Sequence, residues 1–131
     1  MEEKAIRLLT ILKNRSIRYS PNNNVLNAIH QIESEQGRVS VETVARSVGY
    51  SRRSLERRFK ESTGISVKKF TNHVRFNWAL RLLLNGKSLA NVAYDCAYFD
   101  QAHFTACFKE LSGTTPGQFV KDRSLGILYL R

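Results

Sequence analysis

The sequence predicts an all-α fold: two helix-turn-helix subdomains joined by a long central helix. Three observations carry that prediction. Only two prolines, Pro21 and Pro116, stand in 131 residues, so little interrupts long helical runs. Apolar residues recur at intervals of three and four, and the two-residue alternation of strands is hard to find. A stretch in the first half of the chain also returns near its end.

Taken in order, Val25, Leu26, Ile29 and Ile32 follow the capping signal Asn22–Asn24, and that helix stops at Gly37. Ser40 then caps a short helix with Val41, Val44, Ala45 and Val48 at i, i+3, i+4 and i+7, closed by Gly49. Ser51 opens a longer one with Leu55 and Phe59 inward, ending at Gly64. From Ser66 to Asn85 one long run carries the stripe Val67, Phe70, Val74, Trp78 and Leu82, with Phe76, Ala79 and Leu83 beside it.

The pattern then repeats. Ser88 caps Leu89, Val92, Ala93 and Cys96, again at i, i+3, i+4 and i+7, and Asp100 opens a helix with Phe104 and Phe108 inward that ends at Gly113. VARSVGYSRRSLERRFKESTG at 44–64 aligns with VAYDCAYFDQAHFTACFKELSG at 92–113, with Phe99 as one extra residue in the second copy. Thr115-Pro116-Gly117-Gln118 has the spacing of a capping box with Pro at the first helical position, which predicts a last helix through about residue 122. The chain thus divides into an extension or linker helix at 1–21, a first subdomain at 22–64, a connecting helix at 65–86, a second subdomain at 87–124 and a tail at 125–131. The extension is amphipathic over Lys4–Leu12, and the tail LGILYL is expected to pack back on the second unit.

Twenty-one Lys and Arg against eleven Asp and Glu give a net charge of +10. That excess favours an anionic partner, nucleic acid or a lipid surface, without choosing between them. No apolar run is long enough to span a bilayer and no secretory signal opens the chain, so the expected location is cytoplasmic and no membrane partner is expected. Cys96 and Cys107 lack CxxC spacing and fall on apolar helical positions, where buried free thiols are expected rather than a metal site. No cofactor is implied.

One helix-turn-helix pattern alone says only that two helices pack together. Two copies on one connector say more. The connector spans about 30 Å at 1.5 Å per residue, and the major groove recurs every ~34 Å. That spacing suits two reading helices on one face of a duplex.

These residues resemble the AraC/XylS family of bacterial regulators over roughly residues 24–123. The most specific part is VAYDCAYFDQAHFTACFKELSGTTPGQF, supported by Gly49, Leu55, Phe59 and Lys60 and by Arg75, Ala79, Leu82 and Leu83 of the connector. The resemblance implies seven helices, a double-stranded promoter DNA partner, and transcription activation through contact with RNA polymerase. This domain is expected to bind DNA as a monomer, with dimerisation open to it through a domain outside this chain. One position departs: the family usually carries Gly at the second turn, where this chain has Ala97. If the turn needs a left-handed residue there, Ala costs about 1 kcal/mol.

On the first recognition helix, inward Leu55 and Phe59 leave Arg52, Arg53, Glu56 and Arg57 on outward or flanking faces. By resemblance Arg53, Glu56 and Arg57 match base-contacting positions. An Arg fork spans guanine O6 and N7, and a Glu accepts from cytosine N4. Glu56 is equally suited to an intrahelical pair with Lys60 or Arg53. On the second recognition helix the matching positions are Gln101, Ala102, Thr105 and Ala106. Gln pairs with adenine, while Thr or Ala meets a thymine methyl. Without arginine on that face, its readout is expected to be weaker and more tolerant of A/T. Phosphate contacts are expected from Ser51 with its helix start, Arg58, Arg75, His103 and Lys109. His30 and His73 are expected at the helix surface or core edge, and Trp78 in the core.

An enzyme would need a clustered nucleophile, base and oxyanion donors, or metal ligands. The three histidines and two cysteines are scattered instead. A basic helical module for a protein or membrane surface is the other reading that the charge alone permits.

Overall fold

A computed structural model of the chain describes residues 23–122. The amphipathic Lys4–Leu12 segment and the LGILYL tail lie outside them. Seven α-helices and no strand occur among the described residues. They are α1 (Asn23–Ser34), α2 (Val41–Ser47), α3 (Arg52–Thr63), α4 (Val67–Leu84), α5 (Leu89–Asp95), α6 (Gln101–Ser112) and α7 (Pro116–Lys121). The chain divides into two compact units between Val74 and Arg75, within α4.

Helix starts follow the capping residues. In α2, α3 and α5 a serine Oγ (Ser40, Ser51, Ser88) accepts the backbone N–H three residues on, at 3.1–3.2 Å. In α6 the Asp100 carboxylate takes that role, accepting the His103 N–H at 2.7 Å. Each such cap satisfies one donor that the helix itself cannot, worth about 1 kcal/mol. The capping box expected at α7 is present, with the Gln118 N–H donating to Thr115 Oγ1 at 3.2 Å and the Thr115 N–H to Gln118 Oε1 at 3.5 Å.

The first unit buries Ala28, Ile29 and Ile32 of α1, Val44 and Ala45 of α2, Leu55 and Phe59 of α3, and Val67 and Phe70 of α4. Phe59 and Phe70 meet at 5.6 Å between ring centres. The second unit is more aromatic. Phe108 of α6 is its hub, with ring centres 5.0 Å from Phe76, 5.8 Å from Phe104 and 5.5 Å from Phe119.

Burial along α4 corrects the expected single stripe. Val67, Phe70 and Leu82 are buried, but Val74 and Trp78 are only partly so. The second half buries Phe76, Ala79 and Leu83, expected beside the stripe, together with the unexpected and fully enclosed Leu80, an i, i+3, i+4, i+7 set. The two halves of this helix thus contribute separate residue sets, one to each unit's core. His73 is buried rather than at the core edge, while His30 is exposed.

The internal repeat is visible in the turns. Gly49 follows α2 in the left-handed region at φ +78, and the Tyr50 N–H closes back on the Ala45 carbonyl at 2.9 Å. After α5 the same closure runs from the Tyr98 N–H to the Ala93 carbonyl at 3.0 Å. The residue in Gly49's place is Ala97, held at φ +60. The second turn therefore adopts the first turn's geometry and carries the strain of a Cβ in the left-handed region. The two matching helices α3 and α6 also end alike: Thr63 Oγ1 donates to the Phe59 carbonyl at 2.7 Å, and Ser112 Oγ to the Phe108 carbonyl at 2.8 Å.

Candidate nucleic-acid interface

In the first unit, α3 buries Leu55 and Phe59 and leaves Arg52, Arg53, Glu56, Arg57, Arg58 and Lys60 exposed. Arg53 and Arg57 lie four residues apart and so on one helical face. Arg52, the first helical residue, donates from Nε to Glu56 at 2.9 Å and from a terminal nitrogen to Glu42 of α2. Glu56 is thus paired with Arg52, not with the Lys60 or Arg53 expected from spacing. At the helix start the Arg52 side chain runs forward along the surface and meets Glu56 one turn on.

Around that pair, a backbone N–H bond in the first turn of α2 holds the Glu42 carboxyl below its usual range, and Arg52 adds to the effect. The guanidinium is held charged by its bond to Glu56 and by both carboxylates. All three side chains are about half exposed, so the pairing is readily exchanged for another anion. Arg58 lies over the Tyr50 ring, 5.1 Å from its centre. Ser51 uses one Oγ lone pair for the cap, and its hydroxyl proton remains a donor.

In the second unit, α6 buries Phe104 and Phe108 and exposes Gln101, Ala102, His103, Ala106 and Lys109, with Thr105 half-buried. His103 Nδ1 accepts the Phe99 N–H at 3.2 Å, which leaves the ring proton on Nε2 as a donor. Its ring meets the Tyr98 ring edge-on at 5.6 Å. Arg75, half-buried on α4, lies over the other aromatic contact of this turn, 5.5 Å from the centre of the Tyr98 ring. Burial pushes the Tyr98 phenol well above its ordinary range, against the pull of Arg75, so the ring stays neutral beneath the cation.

Cys96 is fully buried, and Cys107 is half-buried against the same core with its thiol pushed up by burial and by Glu110. A raised thiol is a poor nucleophile at neutral pH. Among the described residues no group of three or more His, Cys, Asp or Glu could hold a metal ion. No helix among them is long and apolar enough to cross a membrane.

Each unit therefore presents a capped 12-residue helix whose inner face is fixed by two large apolar residues and whose matching outer positions are free of the core. Residues 44–122 match the family model described as a helix-turn-helix domain. A crystal structure of a transcriptional regulator from Chromobacterium violaceum, described as AraC-type DNA-binding domain-containing, superposes with a TM-score of 0.70 at 28% identity, covering 79% of this chain and 94% of that one. The chain belongs to the AraC-type helix-turn-helix family.

Two AraC-type relatives illustrate how much of a longer protein this chain matches. It is 35% identical over 101 residues to an uncharacterized HTH-type transcriptional regulator in the cgkA 5′ region of Pseudoalteromonas carrageenovora, covering 76% of this chain and 60% of that protein. It is 31% identical over 90 residues to the HTH-type transcriptional activator RhaS of Enterobacter sp. (strain 638), covering 68% of this chain and 32% of that protein. The chain spans 60% of the first relative's length and about a third of the second's.

Within this AraC-type domain, four residues that frame the outer faces escaped sequence reasoning. Glu42 lies ten residues from Arg52 and on another helix, beyond the reach of i, i+4 logic. Tyr50 and Tyr98 carry guanidinium groups over their rings; their recurrence in both repeats was the available signal. Phe99 was visible only as the extra residue of the second turn.

Proposed function

We propose that this chain is a sequence-specific double-stranded DNA-binding transcription regulator that activates bacterial promoters, inserting α3 and α6 into successive major grooves. The observation that carries this reading is the repeated pairing of a capped helix with a fixed inner face and an exposed outer one, arginine-rich in α3. Arg53 and Arg57 read guanine, with Glu56 or Arg52 reading beside them once Arg52 exchanges its carboxylate partners for DNA. Gln101, Ala102, Thr105 and Ala106 form the softer second reader. Ser51, Arg58, Arg75, His103 and Lys109 hold phosphates. The chain acts by binding and not by catalysis, as a monomer at the nucleoid in the cytoplasm, and it presents RNA polymerase with a surface at the promoter.

Selection of bound duplexes from a random-sequence pool, followed by titration of the enriched and scrambled duplexes at moderate salt, tests this. Preference for the enriched duplex by a factor of about a thousand or more is the expected result. Equal and wholly salt-labile binding to both would replace it with a generic basic module.

A further inference from the structure

Phe99 is 91% exposed, the most exposed large apolar side chain among the described residues. Single exposed apolar residues are ordinary on protein surfaces; the place of this one is not. The two turns correspond residue by residue as far as Tyr50 and Tyr98. The first then passes directly to its cap, Ser51, whereas the second inserts Phe99 before its cap, Asp100. The first unit has no counterpart to this side chain.

The insertion is tightly framed. The Phe99 N–H donates to His103 Nδ1 at 3.2 Å, and the Asp100 carboxylate next to it accepts the His103 N–H at 2.7 Å. Tyr98, the preceding residue, is buried and packs on Phe104 at 5.0 Å between ring centres. The backbone on both sides is fixed while the phenyl ring stands in solvent, two residues ahead of Gln101 at the end of α6 that leads into the groove. A carboxylate at this helix start, where the first unit has a hydroxyl, disfavours a phosphate on the backbone N–H groups beside Phe99, leaving only the His103 side chain for one, and favours an uncharged contact at the ring.

The chemistry of the neighbouring face points the same way. Ala102, Thr105 and Ala106 offer methyl groups and no cation, and the one apolar group that bases display in the major groove is the C5-methyl of thymine. We propose that Phe99 is a specificity-determining residue of the second unit: its ring packs on the C5-methyl of a thymine at the edge of the half-site read by α6. This rests on the DNA-reading assignment above. It gives a helix start without arginine its own means of discriminating one base.

The full chain and its F99S variant test it, each used to select duplexes from a random-sequence pool. Because the ring is exposed, F99S should melt with the wild type. The wild type should enrich a thymine at one position of one half-site, where F99S accepts any base and F99L retains the thymine. Replacing that thymine by deoxyuridine, which lacks only the methyl, should weaken the wild type about fourfold and leave F99S unchanged. Identical base preferences for wild type and F99S, or a deoxyuridine penalty that persists in F99S, would overturn the proposal. So would unchanged DNA sites with lost promoter activation in F99S, which would make the ring a protein contact. No enrichment by the wild type would remove the DNA-reading assignment itself, a failure distinct from these.

Discussion

The Arg75 guanidinium lies over the Tyr98 ring, 5.5 Å from its centre, which ties the long helix α4 to the turn of the second unit. Arg75→Ala therefore removes two things at once. It should lower stability by about 0.5–1 kcal/mol through the lost cation–π contact. It should also weaken all DNA sequences alike and reduce the slope of log affinity against log salt by about one. Thermal melting and a salt titration separate the two effects.

Arg57→Ala should behave differently. Arg57 is exposed on the same face as Arg53 and takes no part in the Glu42–Arg52–Glu56 cluster. Its loss should cost about 1–3 kcal/mol at one cognate base and relax specificity there. A base-substitution scan across both half-sites should show larger penalties under α3 than under α6. The reverse ranking, or equal behaviour of Arg57→Ala and Arg75→Ala, would refute the division of labour between reading and holding.

Ala97 stands at φ +60 where the first turn has Gly49 at φ +78. Ala97→Gly should raise stability by up to about 1 kcal/mol, since release of left-handed strain exceeds the added freedom of the unfolded chain. Gly49→Ala should cost a similar amount. A Cβ at Gly49 would meet nothing within 4 Å, so that cost is conformational rather than steric. Denaturant melts of the two variants should move in opposite directions.

Glu42→Gln probes the carboxylate beside Arg52. The folded state holds the Glu42 carboxyl below its ordinary value of 4.5, so between the two values the unfolded chain binds more protons and stability rises with pH. The contribution is complete above the unfolded value and is lost as pH falls through the folded one. Wild type should therefore melt above E42Q at about pH 7, and the gap should close as the pH falls below the ordinary carboxylate range.

The helices were legible because their signals are local. A Ser or Asp cap, an apolar residue every third or fourth position and a closing Gly all lie within a few residues of one another, as at Ser88, Val92 and Ala93. What depended on folding was not legible. Leu80 is fully buried because the second half of α4 contributes its own residue set to a second core, which a single stripe drawn from Val67 to Leu82 misses. Glu56 has both Lys60 and Arg53 at favourable spacing, yet pairs with Arg52, which Glu42 also engages. Arg75 and Tyr98 are separated by half of α4 and all of α5, and no periodicity joins them. For the site, the exposed outer faces of α3 and α6 were legible in the sequence, whereas the framing of those faces by Glu42, Tyr50, Tyr98 and the Phe99–His103 bond came from the fold.

The interior residues of α4 fall into two sets, Val67 and Phe70 in one core and Phe76, Ala79, Leu80 and Leu83 in the other. Each core closes on its own residues, while Arg53, Arg57, Ala102 and Ala106 belong to neither. Mutational drift at those outward positions is therefore nearly free of stability cost and can proceed in one repeat while the other stays fixed. On the proposed reading, in which each repeat takes its own half-site, a duplicated domain built this way acquires a new promoter one half-site at a time, keeping a foothold on the old sequence while the new one is learned.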